Sequence, residues 1–247
     1  MAVRTVDLFV IDSSGFALRD LEATGLAALG AGERARYERL HLERSRRQLL
    51  LSRAALRSVL ALSHPADQSL MFNAHGRPEL RGAPGFSFNL SHSRDRLVIA
   101  TSRAGIVGVD VEFAGRERRV ERLITRYFSR DEQAALLALP AASRLARFYS
   151  LWALKEAYIK ARGLGLAIPL DDFSFELGGE GIGIRFERSL AEQRPQDWRF
   201  WSERVAGAEY AFGLALEGAG EGPIELVVRH SNAALGLERW GAPQTLA

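Results

Sequence analysis

The 247-residue chain contains no cysteine. Disulfide frameworks, cysteine-ligated zinc, iron–sulfur clusters and thiol nucleophiles are therefore all excluded. Long apolar runs are missing as well. The best candidate, Leu49–Leu62, is broken by Arg53 and Arg57, and a membrane span needs roughly 18–20 apolar residues. The first residues lack the charged start, apolar middle and small-residue cleavage site of a secretory signal, and carry Asp7 and Asp12 instead. A cytoplasmic protein with no membrane partner is the expectation. Several familiar chemistry motifs are absent too: the phosphate-binding loop G-x-x-x-x-G-K-[ST], a G-x-G-x-x-G opening a helix after a strand, H-E-x-x-H, and the nucleophile elbow G-x-S-x-G.

Lysine is the scarcest cation. Only two of the 33 basic residues are lysine, Lys155 and Lys160, and they stand five positions apart. Arginine does nearly every solvated cationic job in this chain, so two lysines in one short segment point to a compact ammonium with a purpose. The net charge is only +3, which suits an acidic partner or a phosphate-bearing ligand without demanding one.

Hydrophobic residues make up 47% and charged residues 26%, proportions of a folded globular chain. The length allows one large domain or two lobes of roughly 100–120 residues. Residues 3–11 read as a strand, and a helix or helix pair spans about Glu33–Leu62 with eight arginines on it. Asn73–Gly85 reads as a loop, and Phe86–Leu90, Leu97–Ser102 and Ile106–Phe113 as strands. Val120–Tyr127, Arg130–Leu139 and Arg144–Arg162 read as helices, the second N-capped by Ser129 and the third closed by Gly163. Five further strands, from Phe173 to Arg229, are expected to form a second sheet, followed by a loose tail. The expected division is a first lobe over 1–104, a second over 105–230, and a tail over 231–247.

Three segments could carry chemistry. In Gly108-Val109-Asp110-Val111-Glu112, strand alternation puts both carboxylates on one side, about 7 Å apart, where they can share a hard cation. On a helix, Trp152, Glu156 and Lys160 fall at i, i+4 and i+8 and form one stripe. Phe88-Asn89-Leu90-Ser91-His92-Ser93 ends a strand with a cluster of small donors, of which Ser91 and His92 could meet a phosphate. Each has an ordinary reading as well: a half-buried strand, a surface ion pair, a polar turn.

Taken in order, Gly76-Arg77-Pro78, Phe88–Ser93, Gly108–Glu112, Arg126-Tyr127-Phe128-Ser129, Trp152–Lys160 and Gly163-Leu164-Gly165-Leu166 resemble the 4′-phosphopantetheinyl transferase superfamily. The likeness is to its long, two-lobed type, which activates peptide and polyketide synthases. The resemblance implies an α+β fold of two similar lobes in a pseudo-twofold arrangement, with the active site in the cleft between them. It implies transfer of the phosphopantetheine arm of coenzyme A, the co-substrate, to a serine of an acyl- or peptidyl-carrier domain, with adenosine 3′,5′-bisphosphate as the other product.

Magnesium would be held by Asp110, Glu112 and Glu156, with Glu156, Asp110 and Lys160 as the catalytic set and Glu156 as the base. Lys155 and Lys160 would contact phosphate or hold Glu156. Ser91 and His92 would bind the 3′-phosphate or diphosphate, and Arg77 and Pro78 would lie near the adenine. Gln48 stands where the family often has a basic residue, so either Arg47 takes over the 3′-phosphate contact or the register shifts by one; Arg47 is carried over, with Arg34 a weaker candidate. Arg116–Arg119, Arg122, Arg126 and Arg130 could steer an acidic carrier, with Tyr127 and Phe128 giving apolar contact. A monomer is expected. The competing readings are a metal-dependent phosphoesterase, a related protein that binds without transferring, and a nucleic-acid binder. For the last, the basic excess is small and no nucleic-acid motif is present, so no nucleic-acid partner is expected.

Overall fold

The computed structural model describes residues 4–63, 69–115, 119–178, 181–187, 190, 192–205, 209–218, 220, 222–237 and 239–246. Its elements fall into two successive series of the same kind. The first runs β1 (Arg4–Asp12), α1 (Leu18–Gly25), α2 (Ala31–Arg39), the long α3 (Glu43–Ser63), a small hairpin β2 (Leu70–Phe72) and β3 (Pro78–Leu80), then β4 (Ser87–Ser93) and β5 (Arg96–Ser102). The second runs β6 (Ile106–Phe113), α4 (Glu121–Tyr127), α5 (Arg130–Leu137), the long α6 (Ala141–Arg162), a small hairpin β7 (Phe173–Gly178) and β8 (Gly181–Phe186), then β9 (Trp198–Val205) and β10 (Tyr210–Glu217). In each series the last strand pairs antiparallel with both the first strand and its hairpin partner, giving the orders β1-β5-β4 and β6-β10-β9.

The likeness extends to side chains. Glu33, at the third position of α2, pairs with Arg53 on α3, and Glu132, at the third position of α5, pairs with Lys155 on α6. The fold is α+β with two similar lobes.

The lobes stack as helix, sheet, sheet, helix. One face of the first sheet (Phe9, Ile11, Leu97, Ile99) packs on Leu50, Leu56, Val59 and Leu60 of α3. Its other face (Val6, Leu8, Val10, Val98, Ala100) meets Val107, Val109, Val111, Phe212 and Leu214 of the second sheet. The far face of that sheet lies under α6, where Ala211 and Ala215 meet Leu154, Ala157 and Ala161. Two glycines allow this last approach. A Cβ on Gly108 would fall 2.1 Å from the Ala157 carbonyl oxygen, and one on Gly213 would fall 2.5 Å from the Ala153 carbonyl carbon. Helix α6 thus lies directly on the sheet beside Asp110, which pairs in register with Gly213.

Local signals set the element ends. Ser129 Oγ accepts the Glu132 amide while Glu132 returns a bond to the Ser129 amide, starting α5. Gly163 adopts φ +64° and ends α6.

The structure departs from the sequence reading, or decides it, in four places. Helix α1 was not anticipated; it has a single buried residue, Leu21, so its apolar pattern is faint. Of the helix or helix pair expected over 33–62, the structure shows the pair, parted where Leu40 turns extended. The loop Asn73–Gly85 contains β3. Finally, of the five strands expected in the second sheet only β9 and β10 join β6: β7 and β8 pair with each other, and β11 (Ile224–Ser231) pairs parallel with β1 in the first sheet, burying Leu226 and Val228 there. Alternation gives a strand's faces but not its neighbour. The expected loose tail also returns to the first lobe: β12 (Gln244–Leu246) pairs with β11, and Trp240 meets Phe9 edge to face at 4.7 Å.

Candidate active site

Because Gly108 faces α6, Asp110 and Glu112, two and four residues further along β6, face the same way. Asp110 is 5% exposed. Its Oδ1 receives the Lys160 ammonium at 2.6 Å and the Ser91 hydroxyl at 2.7 Å, and Lys160 Nζ also donates to the Val109 carbonyl at 3.2 Å. Its Oδ2 is buried with no hydrogen-bond partner among the described residues. An orphaned carboxylate oxygen is costly to bury, and its presence calls for a ligand.

Glu156 lies one turn before Lys160. Burial first, and then the charge of Asp110, push its carboxyl above the usual range, with Lys160 opposing. Carboxylates from a strand and a helix thus share one electrostatic site. Glu156 and Lys160 line a cavity of about 290 Å³ together with His75, Gly76, Arg77, Pro78 and Asn89. A larger cavity of about 620 Å³ shares Arg77 and Pro78 with it. His92 is exposed on β4. Desolvation of the ring, and then the Lys160 charge, lower its pKa, which favours the neutral imidazole.

The raised Glu156 pKa has a consequence for stability. The fold binds this proton more tightly than the unfolded chain does. The resulting stabilisation is complete below the unfolded value near 4.5 and is lost as pH rises through the folded value. At neutral pH the ionised carboxylate is therefore a cost. Glu156→Gln is expected to raise the thermal midpoint at pH 7 by about 2–4 °C, with the difference closing toward pH 4.5. Paired melts across that range check it; a variant less stable than wild type at pH 7 would contradict the assignment.

Several expected site residues lie elsewhere. Lys155 is fully buried on another face of α6. It is bonded to Glu132 at 2.8 Å and to the carbonyls of Leu170 and Phe173 at 2.8 and 2.6 Å. It cannot reach a phosphate, because one step along a helix rotates the side chain by about 100° away from Glu156. Arg47 donates to the Ser13 carbonyl at 2.9 Å and faces Asp95 at 3.7 Å, and it does not line the cavity. Arg34 donates to the Leu26 carbonyl.

Arg77 lines both cavities, but its guanidinium brackets the lobes. It donates to the last carbonyls of α6, at Lys160 and Ala161, and to Ser87 Oγ and the Val107 carbonyl. Phe128 is fully buried in the second lobe's core and offers no contact to a partner. Tyr127 is half-buried, edge to face on Trp152 at 5.6 Å. Arg119, Arg122, Arg126 and Arg130 are exposed, and Arg116, Glu117 and Arg118 lie outside the described residues.

Two residues escaped the sequence reading. Arg36, one of the α2 arginines, places its charge close enough to act on His92, and no spacing rule singles it out. Asn89, seen only as part of a motif, is 7% exposed and accepts the Val109 amide at 2.9 Å. The period-two polar run Ser87, Asn89, Ser91, Ser93 was a signal for it.

Among the described residues no group of three or more His, Asp or Glu is drawn together tightly enough to hold a metal ion. The donors that fit one are the orphaned Asp110 Oδ2 and Glu156, with Glu112 on the same strand face. Two carboxylates, with water and substrate phosphate completing the shell, are what magnesium usually takes.

Comparison with known proteins finds relatives of this chain. The family model described as the 4′-phosphopantetheinyl transferase superfamily matches residues 106–215, which include Asp110, Glu112, Glu156 and Lys160. The chain is 35% identical over 153 residues to 4′-phosphopantetheinyl transferase psf-1 of Bacillus pumilus, covering 60% of this chain and 64% of that protein. It is 33% identical over 197 residues to a phosphopantetheinyl transferase of Thraustochytrium, covering 72% of this chain and 68% of that one. A solved structure of the Thermotoga maritima holo-[acyl-carrier-protein] synthase is similar at a TM-score of 0.37 and 19% identity, over 53% of this chain and 71% of that one. That likeness is too remote to add to the assignment. The chain belongs to the 4′-phosphopantetheinyl transferase superfamily. It spans just under two thirds of the length of psf-1.

Proposed function

We propose that this chain transfers the phosphopantetheine arm of coenzyme A to a serine of an acyl- or peptidyl-carrier domain in the cytoplasm. The observation that carries the reading is the orphaned Asp110 oxygen, on a carboxylate paired with Lys160, which with Glu156 lines a cavity between the lobes. The serine hydroxyl oxygen attacks the phosphorus that bears pantetheine. The bond from that phosphorus to the bridging oxygen breaks, and adenosine 3′,5′-bisphosphate leaves with the electron pair. Glu156 takes the serine proton. Lys160 is a point charge for the diphosphate, and Ser91 and Lys160 hold Asp110 in place. His92, with Arg36 near it, offers an N–H and a cation to a further phosphate.

Magnesium, held by Asp110 and Glu156 with Glu112 in support, would neutralise charge growing on the leaving phosphate. Arg119, Arg122, Arg126 and Arg130 form an exposed cationic surface suited to an acidic carrier.

Product analysis tests the choice between transfer and hydrolysis. With coenzyme A and Mg²⁺, adenosine 3′,5′-bisphosphate should form only when an apo carrier is present, and not with a carrier whose acceptor serine is alanine. Free phosphopantetheine formed without any carrier would identify a phosphoesterase instead.

A further inference from the structure

The edge of β6 that faces the first lobe is paired with side chains, not with a strand. Ser87 Oγ accepts the Val107 amide at 3.0 Å, Asn89 Oδ1 accepts the Val109 amide at 2.9 Å, and Ser93 Oγ accepts the Phe113 amide at 3.0 Å. Each rung joins residues 20 apart. The same edge's carbonyls go to cations: Val107 to Arg77 at 3.1 Å and Val109 to Lys160 at 3.2 Å. Val109 is therefore gripped on both sides, its amide by the first lobe and its carbonyl by α6. Asp110 is the next residue. At Ser91, the third polar position of β4, the pattern changes, and its hydroxyl donates to the Asp110 side chain itself.

Along β6 the apolar contact alone does not set this register, because the side chains this strand brings to the core shared by the sheets, Val107, Val109 and Val111, are small and alike; the larger Phe212 and Leu214 of that core come from β10. Such faces tolerate sliding, and a polar ladder does not, because each lost rung leaves a buried amide unpaired. The ladder thus fixes where Asp110 stands relative to Ser91 and the first-lobe wall of the cavity.

We infer that Ser87, Asn89 and Ser93 are positioning residues, and that Asn89, through Val109, sets the placement of Asp110. This rests on the proposed transfer only where activity is measured; the ladder and its effect on ion binding stand apart from it. The variants are Asn89→Ala, which removes the central rung, and Asn89→Asp, which keeps an acceptor oxygen there. Hydrogen exchange on the intact chain should show Val109 protected in wild type and in Asn89→Asp, and unprotected in Asn89→Ala. Titration with Mn²⁺ alone, followed by its electron-spin signal, should show Asn89→Ala binding at least tenfold more weakly than wild type. If transfer is present, kcat should fall about 10- to 100-fold in Asn89→Ala, with the KM for coenzyme A changed far less.

Should Asn89→Ala fail to fold, Ser93→Ala at the ladder's end should show lost Phe113 protection with a smaller fall in Mn²⁺ affinity. Unchanged Val109 protection in Asn89→Ala would overturn the ladder. Lost protection with unchanged Mn²⁺ affinity would overturn the positioning role. Absence of transfer in wild type would overturn only the proposed function.

Discussion

Asp110→Asn is expected to abolish transfer, with a loss of about 10²–10³-fold or more in kcat/KM. The substitution keeps the shape of a residue only 5% exposed and removes its charge. Ser91 can still donate to the amide oxygen, but the unpaired Oδ2, the one carboxylate oxygen left free by Lys160 and Ser91, becomes an amide nitrogen that repels cations. The variant should still fold. Its former partner Lys160 has a side chain 27% exposed and can turn its ammonium toward water. The check is kcat/KM alongside the thermal midpoint and Mn²⁺ affinity. Activity within tenfold of wild type, in a folded variant, would remove Asp110 from the chemistry.

Lys155→Met should do the reverse, harming the fold and sparing the chemistry. The Lys155–Glu132 pair is buried, at 0% and 3% side-chain exposure. Glu132 is also the junction of three elements. It caps the amide of Ser129 at the start of α5, accepts the Phe175 amide of β7, and meets Lys155 of α6. Burial pulls the Lys155 pKa down and Glu132 holds it up, so neither charge is at ease without the other. Removing one partner strands the other at a cost of roughly 3–5 kcal/mol, or a fall of about 6–20 °C in midpoint. The double variant Lys155→Met with Glu132→Gln should recover part of that loss, because the stranded charge is gone. Per folded molecule, the KM for coenzyme A should stay within about threefold of wild type, a change under 1 kcal/mol. A large rise in KM with an unchanged midpoint would return Lys155 to the phosphate site.

The two lysines show how far the sequence could be read. Their rarity pointed to jobs for an ammonium; in the structure each pairs with a buried carboxylate, Lys160 with Asp110 and Lys155 with Glu132. It could not say that Lys160 serves the site and Lys155 the core. That depends on which face of α6 rests on the sheet, and the packing at Gly108 and Gly213 decides it. Strand alternation correctly put Asp110 and Glu112 on one side, and the i, i+4 stripe correctly joined Glu156 to Lys160, because both rules are local geometry. The arginines were far less legible. Arg77 turned out to be a bracket across three elements and Arg47 a tie to Ser13 and Asp95, roles made mostly by contacts 30 or more residues distant in the chain. The crossing of β11 back to β1 was hidden for the same reason: a strand's pattern states that it has a buried face and nothing about which sheet receives it.

The most direct measurement is the intact mass of an apo carrier domain after incubation with this protein, coenzyme A and Mg²⁺. Convergence of Asp110, Glu156 and Lys160 on one phosphoryl-transfer site predicts a gain of one phosphopantetheine arm, about 340 Da, lost with Asp110→Asn and kept with Lys155→Met once folded. No gain on any of several fatty-acid, polyketide and peptide carriers, or an equal gain with Asp110→Asn, would contradict it.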